Sequence, residues 1–409
     1  MRATARARTL KTCLAGIPLV LLVACGGAPP ATTTGAAAGG GEPQVDKAGK
    51  VVCKEGPGVT SSTIRFGVSA ELSGKAALSG ANAKKSLDLA VKDINASGGI
   101  LGKQVEVVYE DNQSTNPGAV NALSKTLSSD NVFAVVGPIR STQVLAINET
   151  IQSAKVPTLV GGTNASLTTE GKGLLFRFRP SDELTAAAMV SFAKDKFSPK
   201  RVAILNDSDA FGSGGAAGVE QAAKAAGMEV TKASYTTGDK DYTAQLSTLK
   251  SSNPDVVFTY ATNSEDLVIF ARQMQELGIT APVVGSPSVT SQVTFDLGAK
   301  FVQGWYAVVD FLLGATQVNK DWVKEYEAAY GGPPDLFGAW QHDAMFFSKA
   351  ALEKSGCDRQ AFVKALSDVA YEGVQGNLKA NEKGDVNDNL YAVQVKGSEA
   401  VLVNKVEIK

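Results

Sequence analysis

Two hydroxyls and one thiol carry the chemistry that this sequence offers. Ser141 follows the apolar run FAVVG and opens an amphipathic stretch, and Thr163 follows VPTLVG in a Gly-rich turn. A hydroxyl at the carboxyl end of a strand, beside the unpaired N–H groups of a helix start, donates to an anion, so the pair suits a carboxylate. Both residues could equally serve as N-caps, and the two roles can coexist. The thiol is Cys25, which ends Leu22-Val23-Ala24-Cys25 and closes an apolar stretch preceded by Arg2, Arg6, Arg8 and Lys11. A basic region, an apolar run and a small residue before the cut make residues 1–24 a secretory signal, and a cysteine at the cut makes it a lipoprotein signal. The apolar run is too short for a bilayer span and contains Gly16 and Pro18.

Catalysis finds little support. The chain has one histidine, His342, in the helical stretch AWQHDAMFF, with no second His or Cys at metal-ligand spacing. Neither G-x-S-x-G nor G-x-x-x-x-G-K-[ST] occurs. GSGGAAG at Gly212–Gly218 follows a strand, yet lacks the spacing of a dinucleotide loop and reads as a Gly-rich helix start. The acidic run Glu110–Ser114 reads as a solvated or helix-capping segment. No catalytic residue, metal or cofactor is expected, and the chain is read as a non-enzyme.

The elements that position the hydroxyls come from the rest of the chain. After Cys25, GGAPPATTTGAAAGGGEPQ has almost no charge and no large apolar residue, so residues 25–60 read as a flexible tether. No later run could span a bilayer, and the length that remains suggests two soluble domains. Without the signal, 36 basic residues face 41 acidic ones, a balance that argues against nucleic acid. Cys13 leaves with the signal and Cys25 takes lipid. Cys53 and Cys357 remain, and an even pair outside the cytoplasm suggests one disulfide, two free thiols being the alternative.

From Thr63 short β-branched runs alternate with amphipathic stretches, the signature of a parallel α/β sheet. TIRFGVS, VEVVYED, FAVVG and VPTLVG are strands. Leu87, Val91 and Ile94, then Val120, Leu123 and Leu127, then Val144, Ile147 and Ile151 mark the helices between them. One Rossmann-like lobe is complete near Arg179. The rhythm restarts with RVAILN, a helix over 214–226, MEVTKASY, a helix with Leu246 and Leu249, DVVFTYA, a helix with Leu267, Phe270, Met274 and Leu277, then APVVGS and GWYAVVD. Residues 320–370 read as mostly helical, and NLYAVQVK and AVLVNKVEI as closing strands.

Read together, these segments carry a resemblance over residues 62–409. The stretch from IRFGVSAELSGKAALSG to NALSKTL, the VVGPIRSTQVLA loop, VPTLVGGTNASLT, LNDSDAFGSG, DYTAQLSTLKSSNPDVVF and GVQGNLKANEKGDV occur in an order and spacing similar to periplasmic binding proteins of the leucine/isoleucine/valine type. L-V-A-C likewise resembles the bacterial lipobox, in which the cysteine thiol receives a diacylglycerol. The resemblance implies the type I fold: two α/β lobes joined by three crossovers near Arg179, Val308 and Leu378, with ligand in the cleft between them. Lobe 1 would hold 61–178 plus 309–377, and lobe 2 would hold 179–308 plus 378–409. It also implies carboxylate binding by Ser141 and Thr163, a backbone contact at Gly161, an aromatic lid at Phe211, and further contacts from Ser79 and Thr262. Pro287 stands where amino-acid binders of the family carry a Glu for the ligand ammonium. Either Asp207, Asp209 or Glu265 replaces that Glu, with Asp207 placed among the site residues, or the ligand is not an ordinary α-amino acid. Trp305 and Trp340 are further candidates for shaping the pocket.

The expectation is a lipid-anchored carrier on the outer face of the cell membrane. It would bind a small-molecule ligand by hinge closure, deliver it to an ABC importer permease, and work as a monomer. A lipoprotein that senses the ligand and signals to a membrane receptor is the alternative.

Overall fold

The computed structural model describes residues 41–406. The expected signal over 1–24, the expected acylation site Cys25 and the first part of the expected tether lie outside the described residues. Among the described residues no helix is long and apolar enough to cross a membrane.

The first lobe alternates strand and helix: β1 (Thr63–Ala70), α1 (Ala77–Ala96), β2 (Gln104–Asp111), α2 (Asn116–Ser128), β3 (Ala134–Val136), α3 (Ser141–Ala154), β4 (Thr158–Val160), α4 (Ser166–Glu170) and β5 (Leu175–Arg177). Its five strands are all parallel in the order β2-β1-β3-β4-β5. Successive side chains leave opposite faces of a strand. Ala134 and Val136 therefore pack with Phe66, Val68 and Leu87 on one face, while Val135 joins Leu123, Val144, Ile147 and Ile151 on the other.

The second lobe continues with α5 (Asp182–Phe197), β6 (Arg201–Asp207), α6 (Ala210–Ala225), β7 (Glu229–Tyr235), α7 (Thr243–Ser251), β8 (Val256–Tyr260), α8 (Ser264–Glu276), β9 (Val283–Gly285), α9 (Gln292–Gly298) and β10 (Tyr306–Val309). The chain then makes α10 (Gln317–Tyr330), α11 (Leu336–Ser355), α12 (Arg359–Asp368), the hairpin β11 (Ala370–Gly373) and β12 (Gly376–Lys379), and finally β13 (Tyr391–Lys396) and β14 (Glu399–Lys405). The second sheet runs β14-β13-β10-β9-β8-β6-β7, antiparallel only where β13 meets β10 and β14.

Packing shows where the chain crosses. Phe178 belongs to the core of the first lobe and Ala186 to that of the second, and Val309 lies in the second while Phe311 packs with Leu89 and Trp322. Leu378, Ala380 and Val386 remain in the first core and Leu390 in the second, so the last crossing falls at 387–389, beyond the position near Leu378 read from the sequence. Helix α6 also starts earlier than expected, at Ala210, because Asp209 accepts from the N–H groups of Phe211 and Gly212, both at 2.9 Å.

Part of the expected tether is structured. The Gln44 N–H donates to the Ser355 carbonyl at 2.8 Å, its Oε1 accepts from the N–H groups of Lys54 and Cys357, and Cys53 is bonded to Cys357 with their Cα atoms 4.7 Å apart. Residues 44–60 lie along the first lobe.

Candidate ligand-binding site

In a doubly wound sheet, ligands sit outside the carboxyl ends of the strands where the strand order reverses. The first sheet reverses between β1 and β3 and the second between β6 and β8. A cavity opens where those ends face each other. It holds about 660 Å³ including its mouth, and both lobes line it. Ser79, Ile139, Arg140, Ser141 and Thr163 come from one side, and Phe211, Thr262, Asn263, Ser264 and Ser288 from the other.

The helix starts around this cavity differ in their capping. Helices α2, α5, α6, α9, α10, α11 and α12 each carry a Ser, Thr or Asp whose side chain accepts from the first turn. Helices α1, α3 and α8 open onto the cavity with no side-chain cap. The first N–H groups of α3 and α8, with the positive ends of their dipoles, suit an anion, whereas α1 continues a 3-10 turn over Gly74–Ala76 in which the Ala77 N–H already donates to the Gly74 carbonyl and the Ala76 N–H to Ser114 Oγ. The capped starts of α6, α9 and α11 contribute apolar surface through Phe211, Val293 and Phe337.

Ser141 is buried, and its Oγ accepts from the N–H groups of Thr163 and Asn164, both at 3.1 Å. The hydroxyl thus ties the two strand-end loops together and keeps its own proton to donate. Neither residue is an N-cap, since Arg140 precedes α3 and Ala165 precedes α4. Phe211 lies against Tyr260 with ring centroids 4.8 Å apart. Gly161 and Asp207 do not line the cavity. A Cβ on Gly161 would come within 2.6 Å of the Trp340 indole, so its missing side chain makes room for that buried ring. Trp340 belongs to the first core and Trp305 packs against the second.

Asp207 ends β6 and pins β8: its Oδ2 accepts from the Thr262 N–H and its Oδ1 from that of Asp209. Burial, with the Asp209 charge added, pushes its carboxyl up to about 8. The glycines of α6 serve packing. A Cβ on Gly215 would meet the Tyr260 ring at 2.1 Å, and one on Gly212 the Asp207 carboxylate at 2.0 Å. In the acidic run, Glu110 pairs with Lys125, and Asp111 takes the Ser73 hydroxyl and backbone N–H groups. His342 is buried on α11 between the rings of Trp322 and Phe346.

Sequence reasoning did not single out Arg140 and Asn263, whose Nη2 and Oδ1 meet at 2.7 Å across the cleft. Each directly precedes a helix that follows a strand, the same signal that marked Ser141. Asn164 Nδ2 also donates to the Ala210 carbonyl at 2.8 Å, and Lys75 Nζ to that of Thr237 at 3.3 Å.

Residues 63–400 match the family model described as periplasmic binding protein. The chain belongs to that family. Periplasmic binding proteins of this kind are the non-enzymatic substrate-binding components of ABC importers. This one is 24% identical over 332 residues to the leucine-, isoleucine-, valine-, threonine- and alanine-binding protein of Pseudomonas aeruginosa, covering 80% of this chain and 88% of that protein. The leucine-binding protein of Thermotoga maritima superposes with a TM-score of 0.78 at 24% identity, covering 85% of this chain and 99% of that one. A solute-binding protein of R. palustris, solved with benzoate, gives 0.78 at 22% identity, covering 84% and 96%. The type I fold of this binding protein, with its two α/β lobes, is theirs.

Asp182 opens α5 just beyond the cavity, wholly buried, with Tyr260 Oη donating to its Oδ1 at 3.2 Å and its Oδ2 without a protein partner. Burial pushes its carboxyl up to about 7, against the lowering effects of the Thr163 hydroxyl and the Arg177 charge. Between the unfolded value near 4 and that pH the folded state holds a proton that the unfolded state has lost. The stability this group contributes is complete below about pH 4 and is lost as pH rises through about 7. Asp182→Asn should therefore make the change of stability between pH 5 and pH 6.5 less negative by about 1.4 kcal/mol per pH unit. Guanidinium unfolding across that range measures it, and an unchanged slope would mean that Asp182 titrates as an ordinary carboxylate.

Proposed function

We propose that this binding protein is held by lipid on Cys25 at the outer face of the membrane, captures a small carboxylate-bearing solute by closure of its two lobes, and delivers it to an ABC importer. The observation that carries the reading is the cavity, where the Ser141 hydroxyl and the uncapped starts of α3 and α8 converge from both lobes. The three hydrogen bonds across the cleft support closure, because each joins residues that a hinge would separate. Ligand touching both walls then stabilises the closed state by its differential contacts. Relatives named for leucine and one solved with benzoate share a carboxylate in what they hold.

Ser141→Ala with Thr163→Ala should weaken carboxylate ligands by roughly 2–3 kcal/mol, about 30- to 150-fold in Kd, from the loss of charge-assisted hydrogen bonds. Calorimetric titration measures this, and unchanged affinity would move the site elsewhere. Cys25→Ser should shift the protein from the membrane fraction to the soluble one, because two or more acyl chains make the difference between stable anchoring and release. Retention of the serine variant on membranes would remove the lipid from this account.

A further inference from the structure

Among the described residues the one carboxylate in the cavity lining is that of the exposed Glu265, and the other candidates for receiving an ammonium group lie elsewhere. Asp207 lies outside its lining, both carboxylate oxygens engaged by backbone N–H groups. Asp209 spends its Oδ1 capping α6. Glu265 does reach the lining, but it is an exposed residue in the first turn of α8, at the mouth. On the β9 side it is Ser288, next to Pro287, that lines the wall. Glu71 is buried near the Arg140 guanidinium and outside the lining, where Asn112 Nδ2 donates to it at 3.3 Å.

Positive charge is placed in the opposite way. Arg179 is held by Asp310, and Lys75 sits exposed at the mouth. Arg140 is the inner cation: Nη2 donates to Asn263, and its buried Nε has no protein partner. Thr262 Oγ1, on the facing wall, likewise has none. Transferring an ammonium into such surroundings is costly, whereas a carboxylate there meets a guanidinium, a hydroxyl and the two uncapped starts of α3 and α8. Ile139, Phe211, Val293 and Phe337 form the apolar part of the wall, beside Ser79, Ser264 and Ser288.

We infer that the ligand of this protein is a carboxylate that carries an apolar aliphatic or aromatic body and no ammonium group, with Arg140 as its charged anchor. The inference rests on the carboxylate-binding reading above and narrows it to a substrate class. Arg140 joins the lobes through Asn263 and donates to the ligand through Nε, so capture and closure share one side chain.

The test is calorimetric titration of the intact protein, unfolded and refolded to strip carried-over ligand, with acids matched in shape. Leucine is compared with 4-methyl-2-oxopentanoate and 4-methylpentanoate, and phenylalanine with 3-phenylpropanoate and benzoate. The expected result is that an amine-free acid binds at least tenfold more tightly than its amino-acid counterpart. Equal or tighter binding of the amino acid would overturn the inference and leave carboxylate capture standing. No binding by any of these acids would overturn both. Arg140→Gln, which keeps a donor towards Asn263, should weaken the amine-free acids at least tenfold while the melting temperature without ligand stays close to that of the parent. Undiminished affinity in that variant would remove Arg140 from the site.

Discussion

Arg179→Met is expected to cost about 3–5 kcal/mol of folding stability, the loss typical when one partner of a buried ion pair is removed. Arg179 follows β5 and Asp310 follows β10, each at a crossing between the lobes, and they are 5% and 1% exposed. The guanidinium donates twice to the carboxylate, Nε to Oδ2 at 2.7 Å and Nη2 to Oδ1 at 2.9 Å. Among the described residues no other side chain donates to Asp310. Methionine can fill much of the space of the arginine stem, yet it strands a desolvated carboxylate. The double variant Arg179→Met with Asp310→Leu should regain most of the loss, because a buried pair replaced as a whole by apolar side chains of similar volume is often nearly neutral. Guanidinium unfolding of the parent, both single variants and the double variant closes the cycle. A double variant as unstable as Arg179→Met would place the loss in packing of the stem and not in the stranded charge.

The difference between what this sequence discloses and what it withholds follows the range of the interactions. Strands such as TIRFGVS and DVVFTYA are legible because β-branched runs of that length have few other uses, and the loops after them follow from the rhythm of the sheet. That is why Ser141 and Thr163 can be placed at strand ends, whereas Ser79, Phe211 and Thr262 come from the family resemblance; all five line one cavity. Strand β5 reads LFR and the β11–β12 hairpin AYEG and GNLK, without one β-branched residue to mark them, whereas the equally short β3 and β4 carry AVV and TLV. The start of α6 had a local sign, Asp209 before the apolar Phe211, but the glycines after it masked the helix. Gly161 shows the harder limit: its reason for being glycine is Trp340, far along the chain, and only the folded lobe brings them together. Arg140 and Asn263 are legible one at a time as residues before helices. Their meeting across the cleft depends on how two lobes face each other, which no local pattern encodes.

Cys53→Ser with Cys357→Ser should lower stability by about 2–5 kcal/mol, the usual loss when a native disulfide is removed. The bridge spans 304 residues of sequence, and in the chain-entropy model a loop of that size takes a stabilisation at or above the top of this range from the unfolded state. Its surroundings are already built. Cys357 is buried in the first core, the Gln44 side chain accepts from the N–H groups of Lys54 and Cys357, and a Cβ on Gly356 would meet the Val52 carbonyl at 2.4 Å. Gly356 itself adopts a φ of +71°, open to glycine and strained for other residues, and so lets α11 end against the 44–53 segment. These contacts fix the point at which the chain leaves the first lobe. Without the bridge they remain as a few hydrogen bonds that fray easily, so proteolysis of the serine variant should begin near residues 44–60, before the lobes themselves unfold. Thiol titration of the unreduced parent provides the control, with no reactive thiol expected from Cys53 or Cys357. Two reactive thiols there, or a double variant as stable as the parent, would leave that anchoring to the hydrogen bonds of Gln44 alone.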